Sequence, residues 1–153
     1  MKVATWNLNS IRARQERLLS WLSLQNPDVV CLQETKVTDE QFPFEAMNEH
    51  GYHAAVHGQK TYNGVAILSR EPIDDVRVGL SDSIDDPQAR CISAQIQGIR
   101  FISVYVPNGH IVESDKYNYK RDWLERLFPY LERPRQPDTP LLISGDFNIA
   151  PDV

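Results

Sequence analysis

Two rhythms of apolar and polar positions run along the chain. Residues 2–8 read as a strand. Residues 10–25 read as a helix: Ile11, Leu18, Trp21 and Leu22 fall on one face, and Ser10 stands where a cap is needed. Pro27 closes it. Residues 28–34 form a short apolar run ending in polar side chains, which predicts a buried strand. Residues 39–50 predict a second helix, stopped by Gly51, with Pro43 near its start. Residues 52–57, 64–69, 76–80, 90–97 and 100–106 then predict consecutive strands, with Gln97-Gly98 as a hairpin turn. Residues 114–132 predict a long helix whose apolar stripe is Tyr117, Leu124, Leu127, Phe128 and Leu131. A proline-rich loop at 133–140 leads to a last strand at 141–144. Helices alternate with strands at both ends and a meander fills the middle, so the pattern predicts an α/β chain with a mixed β-sheet flanked by helices.

Composition narrows the class without naming a chemistry. The 153 residues, 41% hydrophobic and 24% charged, are enough for one domain with its own core. No apolar run approaches the length of a membrane span, and the first residues lack signal-peptide anatomy. A cytoplasmic protein without a membrane partner is expected. Cys31 and Cys91 lie in apolar runs and are expected to be buried, reduced thiols. The net charge of −5 does not advertise nucleic-acid binding, so local basic groups would have to supply it.

The chemistry is concentrated at strand ends. Asn7 follows the first strand, Glu34 the second, and Asp146 and Asn148 the last. In α/β sheets, sites form at the carboxyl ends of strands. On an extended segment, residues two apart face the same way, so Asp146 and Asn148 are expected to point together. Carboxylate and amide oxygens drawn from three distant segments suit a hard divalent cation. A carboxylate such as Glu34 needs a cation or another partner if it is to be buried at a strand end. Lys36 and Arg14 are the alternative partners for it.

The residues around these positions carry a resemblance. Trp6-Asn7-Leu8-Asn9-Ser10-Ile11-Arg12-Ala13-Arg14, Leu32-Gln33-Glu34-Thr35-Lys36, Gly64-Val65-Ala66-Ile67-Leu68, Tyr105-Val106-Pro107-Asn108-Gly109 and Gly145-Asp146-Phe147-Asn148-Ile149 occur in that order. Together with His57-Gly58-Gln59-Lys60, they resemble the exonuclease III family of bacterial apurinic/apyrimidinic endonucleases. The resemblance implies a four-layered α/β sandwich of two similar halves, of which residues 1–153 would be the first. The family's later Trp-x-Asp-Tyr-Arg-like segment and closing Ser-Asp-His have no counterpart in these residues.

The same resemblance implies residue roles. Glu34 would be the leading ligand of Mg2+, or of Mn2+ in its place, with Asn7, Asp146 and Asn148 as further oxygen ligands. Asp146 would move the proton of the attacking water or the leaving group, Asn148 would hold Asp146 or the oxyanion, and Tyr105 would donate to a phosphate oxygen. Lys36, Arg90 and Asn108 would contact substrate. The implied activity is hydrolysis of double-stranded DNA 5′ to abasic sites, with 3′-to-5′ exonuclease action at 3′ ends in the complete protein. A phosphatase of small phosphate esters and a non-catalytic fragment that needs a partner segment are the alternatives. A half-sandwich is also expected to expose an apolar sheet face, and so to be weakly active and to self-associate.

Overall fold

The computed structural model describes residues 1–133 and 139–150. Part of the proline-rich loop, 134–138, therefore lies outside the described residues. The order of elements is β1 Val3–Asn7, α1 Ile11–Gln25, β2 Val29–Gln33, a single 3-10 turn Asp39–Gln41, α2 Phe44–Glu49, β3 His53–His57, β4 Val65–Ser69, β5 Asp74–Val78, β6 Cys91–Ile96, β7 Ile99–Tyr105, α3 Asp115–Glu132 and β8 Leu141–Asp146.

The strands form two four-stranded sheets with the mixed pairing that the alternation predicts; their division into two is what the local pattern does not show. The first has the order β1-β2-β4-β3 and the second β5-β6-β7-β8. Each is mixed: β1 runs parallel to β2, and β7 parallel to β8, while the other pairs are antiparallel. The sheets pack face to face. Val29, Cys31, Val65 and Ile67 of the first meet Ile92, Ala94, Ile96 and Phe101 of the second in a core between them. Their alternate neighbours Val30, Leu32, Ala66 and Leu68 face outward against Ile11, Leu18 and Leu22 of α1 and Met47 of α2. On the far side Cys91, Ile102 and Val104 lie under Trp123 and Leu127 of α3. Four layers, α/β/β/α, are thus present within this chain. Each sheet has a helix over its outer face, so the bare apolar sheet face expected above is not found among the described residues. The sheet edges are β1 and β3 in the first sheet and β5 and β8 in the second, and β1 and β8 touch each other across the sandwich.

Two helices depart from expectation for local reasons. The predicted helix 39–50 divides at Pro43, because Phe42 before it is held extended at φ −66°, ψ 135°. In α3, Trp123 is buried while Phe128 is 66% exposed, so the apolar stripe is turned from the one predicted. The hydroxyl of Ser10 accepts the Ala13 N–H at 3.3 Å and caps α1 as expected.

Candidate active site

Four strands deliver their last residues to one end of the sandwich. Asn7 ends β1, Tyr105 ends β7, Asp146 ends β8, and Glu34 follows β2 directly. Parallel pairing of β1 with β2 and of β7 with β8 aligns these ends, with Asn7 opposite Gln33 and Tyr105 opposite Asp146. Just below them Gln33 is buried, and its Nε2 donates to Thr5 Oγ1 and Ser103 Oγ, both at 3.1 Å. Ser103 Oγ in turn donates to the Leu32 carbonyl at 3.2 Å. These bonds pin the two sheets together directly beneath the site.

Asn7 is the centre of the cluster. Its Nδ2 donates to Glu34 Oε1 at 3.2 Å and to Asp146 Oδ2 at 2.8 Å, joining a carboxylate from each sheet. Its Oδ1 accepts the Asn9 N–H at 2.9 Å, so in this arrangement it turns nitrogen, not oxygen, toward the carboxylates. Glu34 sits at φ 52° and Lys36 at φ 58°, a costly conformation for residues with side chains. Neighbouring loops impose it. Ser10 N–H and Ile11 N–H donate to the Glu34 and Thr35 carbonyls, while Thr35 N–H and Lys36 N–H donate to Gly64 and Asn63. That approach requires glycine at position 64, where a Cβ would lie 2.1 Å from Thr35 Oγ1.

Burial alone would push the Glu34 carboxyl up. Hydrogen bonds from Tyr105, Asn7 and Lys36, with the charge of Lys36, outweigh it and leave the group below its ordinary value. Tyr105 moves the other way: burial, then its bond to Glu34, pushes the phenol up to about 12. The Lys36 ammonium lies 3.2 Å from Glu34 Oε2.

The structure rearranges two expectations. Asn148 does not continue the strand: it lies at φ 49°, which breaks the alternation that would aim it alongside Asp146. Its backbone N–H, not its side chain, holds Asp146 Oδ1 at 2.9 Å, and its side-chain amide donates to the Val106 carbonyl at 2.7 Å. Arg90, expected to open the strand at 90–97, lies one residue before β6. Its guanidinium lies 4.7 Å from the centroid of the Tyr105 ring and 5.7 Å from that of Tyr119. Asn108 is exposed, and its Oδ1 accepts the His110 N–H in a local turn; it makes no hydrogen bond to the cluster among the described residues.

Sequence reasoning did not find Lys120 or Tyr119. Lys120 Nζ donates to the Asn148 carbonyl at 2.7 Å, and Tyr119 donates to Asp86 at 2.8 Å beneath Arg90. Arg126 closes the same network on Asp86 and Asp82, which ties both carboxylates to α3. No group of three or more His, Cys, Asp or Glu side chains among the described residues is placed to hold a metal ion. The carboxylates that the strand ends bring together are Glu34 and Asp146, with the Asn7 amide between them.

The fold and the cluster together define a class: two-sheet α/β sandwiches that gather carboxylates and amides at parallel strand ends. Residues 4–152 match the model of the Endonuclease/Exonuclease/phosphatase family, and the chain belongs to that family. It is 36% identical to the exodeoxyribonuclease III of Haemophilus influenzae, over 99% of this chain and 58% of the relative. Among solved structures it resembles a Neisseria 3′ phosphatase, NExo, bound to a product DNA hairpin, with a TM-score of 0.95 at 41% identity. It also resembles an AP endonuclease from Archaeoglobus fulgidus, with a TM-score of 0.93 at 43% identity. Each match covers 99% of this chain and 59% of the solved one. The chain thus spans about three fifths of the length of these relatives.

Proposed function

We propose that this chain carries the catalytic groups of a DNA-repair nuclease. The reaction is hydrolysis of a phosphodiester in double-stranded DNA, 5′ to an abasic site, with 3′-to-5′ exonuclease action in a complete protein. The observation that carries this reading is the Asn7 amide bonded to both Glu34 and Asp146, with the Tyr105 phenol beside Glu34. The names of the relatives, an exodeoxyribonuclease III and an AP endonuclease, support it.

The donor set suits Mg2+, which takes one or two carboxylates and completes its shell with water and phosphate oxygens. Mn2+ is the natural substitute. Glu34 and Asp146 would hold the ion, and Asn7 would join them only by giving up the Asn9 N–H for its oxygen. When bound, the ion supplies Lewis-acid stabilisation of charge on the phosphate. The remaining work falls to this chain's own groups. Tyr105 stays protonated at neutral pH and can donate to a phosphate oxygen on leaving Glu34. Asp146, oriented by Asn7 and by the Asn148 N–H, is the proton acceptor or donor. Lys36 lies beside Glu34 and offers a cation to the DNA backbone.

A second reading, removal of phosphate from DNA 3′ ends, is favoured by the similarity to the Neisseria 3′ phosphatase. The test is a substrate panel: abasic duplex, 3′-phosphorylated duplex and a small phosphate ester, each with Mg2+. We expect cleavage of the abasic duplex, lost on chelation and in Asp146→Ala. Turnover of the 3′-phosphate alone would select the second reading. No turnover of any substrate would leave a non-catalytic fragment.

A further inference from the structure

At the opposite end of the second sheet lies a cavity of about 330 Å³ that the catalytic reading does not use. It opens on the α3 side, past the helix's last turn. Its walls include Arg77 of β5, Ser93 of β6, Arg100 of β7, Tyr130 of α3 and Arg133 beyond it. Arg100 pairs with Leu141 at the start of the parallel ladder whose other end is Tyr105 with Asp146. Five residues of strand, roughly 17 Å, therefore separate cavity and catalytic cluster.

The charge balance of the cavity is unusual for a chain of net charge −5. Three guanidinium groups face it, and Asp75 is the only carboxylate lining it among the described residues. Asp75 is bound by two of them: Arg77 Nε and Nη2 donate to it at 3.0 and 2.6 Å, and Arg100 pairs with the same carboxylate. Arg133 Nη1 donates to the Ser81 carbonyl at 2.5 Å and has no carboxylate partner among the described residues. Nη1 of Arg77, Nε of Arg100, and Nε and Nη2 of Arg133 make no hydrogen bond to a described residue. The Arg100 side chain is only 13% exposed. Like charges gathered around one cavity repel each other unless an anion joins them, and the excess of two positive charges among the described residues matches a dianion. Guanidinium donors suit the tetrahedral oxygens of phosphate. Ile102, Leu141 and the Tyr130 ring add an apolar floor. The volume, at the low end for ligand pockets, exceeds what a bare oxyanion fills.

We propose that this cavity binds a phosphate monoester dianion of nucleotide size, with the phosphate on Arg77, Arg100 and Arg133 and the organic part against Tyr130. The assignment does not rest on the nuclease reading. It predicts that deoxyadenosine monophosphate, added to the isotope-labelled chain at slightly alkaline pH, shifts the amide signals of Ser93, Arg100 and Leu141. Inorganic phosphate should shift the same signals more weakly, and deoxyadenosine should not. Arg77→Gln and Arg133→Gln should each weaken binding roughly tenfold or more, the loss of a charge-assisted contact. Both leave the Arg100–Asp75 link between strands in place, and an otherwise unchanged spectrum verifies the fold. Equal affinity for phosphate and the monophosphate overturns the monoester assignment. Shifts confined to Asn7, Glu34 and Asp146, no binding at all, or folded variants that bind as before, overturn the site.

Discussion

At the scale of single residues, the Asn7 amide has the most to lose. It is bonded to both carboxylates of the cluster, one from each sheet. In Asn7→Ala the carboxylates keep their charge and lose the donor between them, and Glu34 loses one of the bonds that hold its pKa down. We expect turnover of abasic duplex to fall roughly 10–100-fold, the usual cost of removing a group that orients ligands. The Glu34 carboxyl should titrate higher, as carbon NMR would read. An unchanged rate would separate this cluster from the reaction. Gly145 sets the cluster in a different way. A Cβ there would lie 1.9 Å from the Val104 carbonyl oxygen, in the ladder that brings Asp146 beside Tyr105. Gly145→Ala should therefore cost about 1–3 kcal/mol or more in urea unfolding, because backbone and not a flexible side chain must yield. That Asn7, Glu34 and Asp146 meet at one end was legible in the sequence because each follows an apolar run with an oxygen-bearing side chain, whereas Tyr105 was marked only by the family resemblance. The true placement of Asn148 was not: one residue in the left-handed region cancels the two-residue alternation and leaves no mark on the pattern.

At the scale of elements, α3 does more than cover the second sheet. Its Tyr119 ring faces Arg90, whose guanidinium also lies over the catalytic candidate Tyr105, and Arg90 Nη1 donates to the Tyr105 carbonyl at 3.2 Å. Tyr119 is anchored in turn through Asp86 to Arg126. Removing only the hydroxyl, in Tyr119→Phe, keeps the ring under Arg90. It should cost about 0.5–1.5 kcal/mol of stability and little activity. Tyr119→Ala removes the ring as well. It should free Arg90, lower turnover beyond the Tyr119→Phe variant, and broaden the Arg90 side-chain NMR signal. Equal turnover in the two variants would show that the ring does not position Arg90. None of this could be read beforehand, since a helix pattern flags apolar neighbours and not a tyrosine whose partners lie 29 and 33 positions away. The same limit hid the division into two sheets. Strand existence follows from local pattern, but whether β4 joins β2 or β5 depends on pairings made across the whole chain.

At the scale of the whole molecule, the buried thiols and the carboxylate of the site give opposite ends of the pH range different weaknesses. Cys31 lies between the sheets and Cys91 under α3, and both are free thiols, as their apolar runs predicted. Burial pushes Cys31 from 9.0 up to about 11 and Cys91 up to about 12, and Tyr105 rises from 10.0 to about 12. In each case the folded state favours the neutral form. As pH climbs past 9.0 the unfolded chain releases these protons first, so it binds fewer than the folded chain and stability must fall. The loss continues until the folded groups ionise, near 11 to 12. Glu34 acts at the other end: its lowered folded pKa gives stability that is present above 4.5 and is lost as the pH drops through the folded value. Thermal melts across the range should therefore show a plateau at neutral pH and a steep alkaline decline beginning near the thiol's ordinary value. Cys91→Ala should lower the plateau, because it removes packing beneath Trp123, and at the same time flatten the alkaline slope, because one buried proton no longer has to be lost. A variant with a lower plateau and an unaltered slope would mean that Cys91 is packed as described but does not titrate as burial requires.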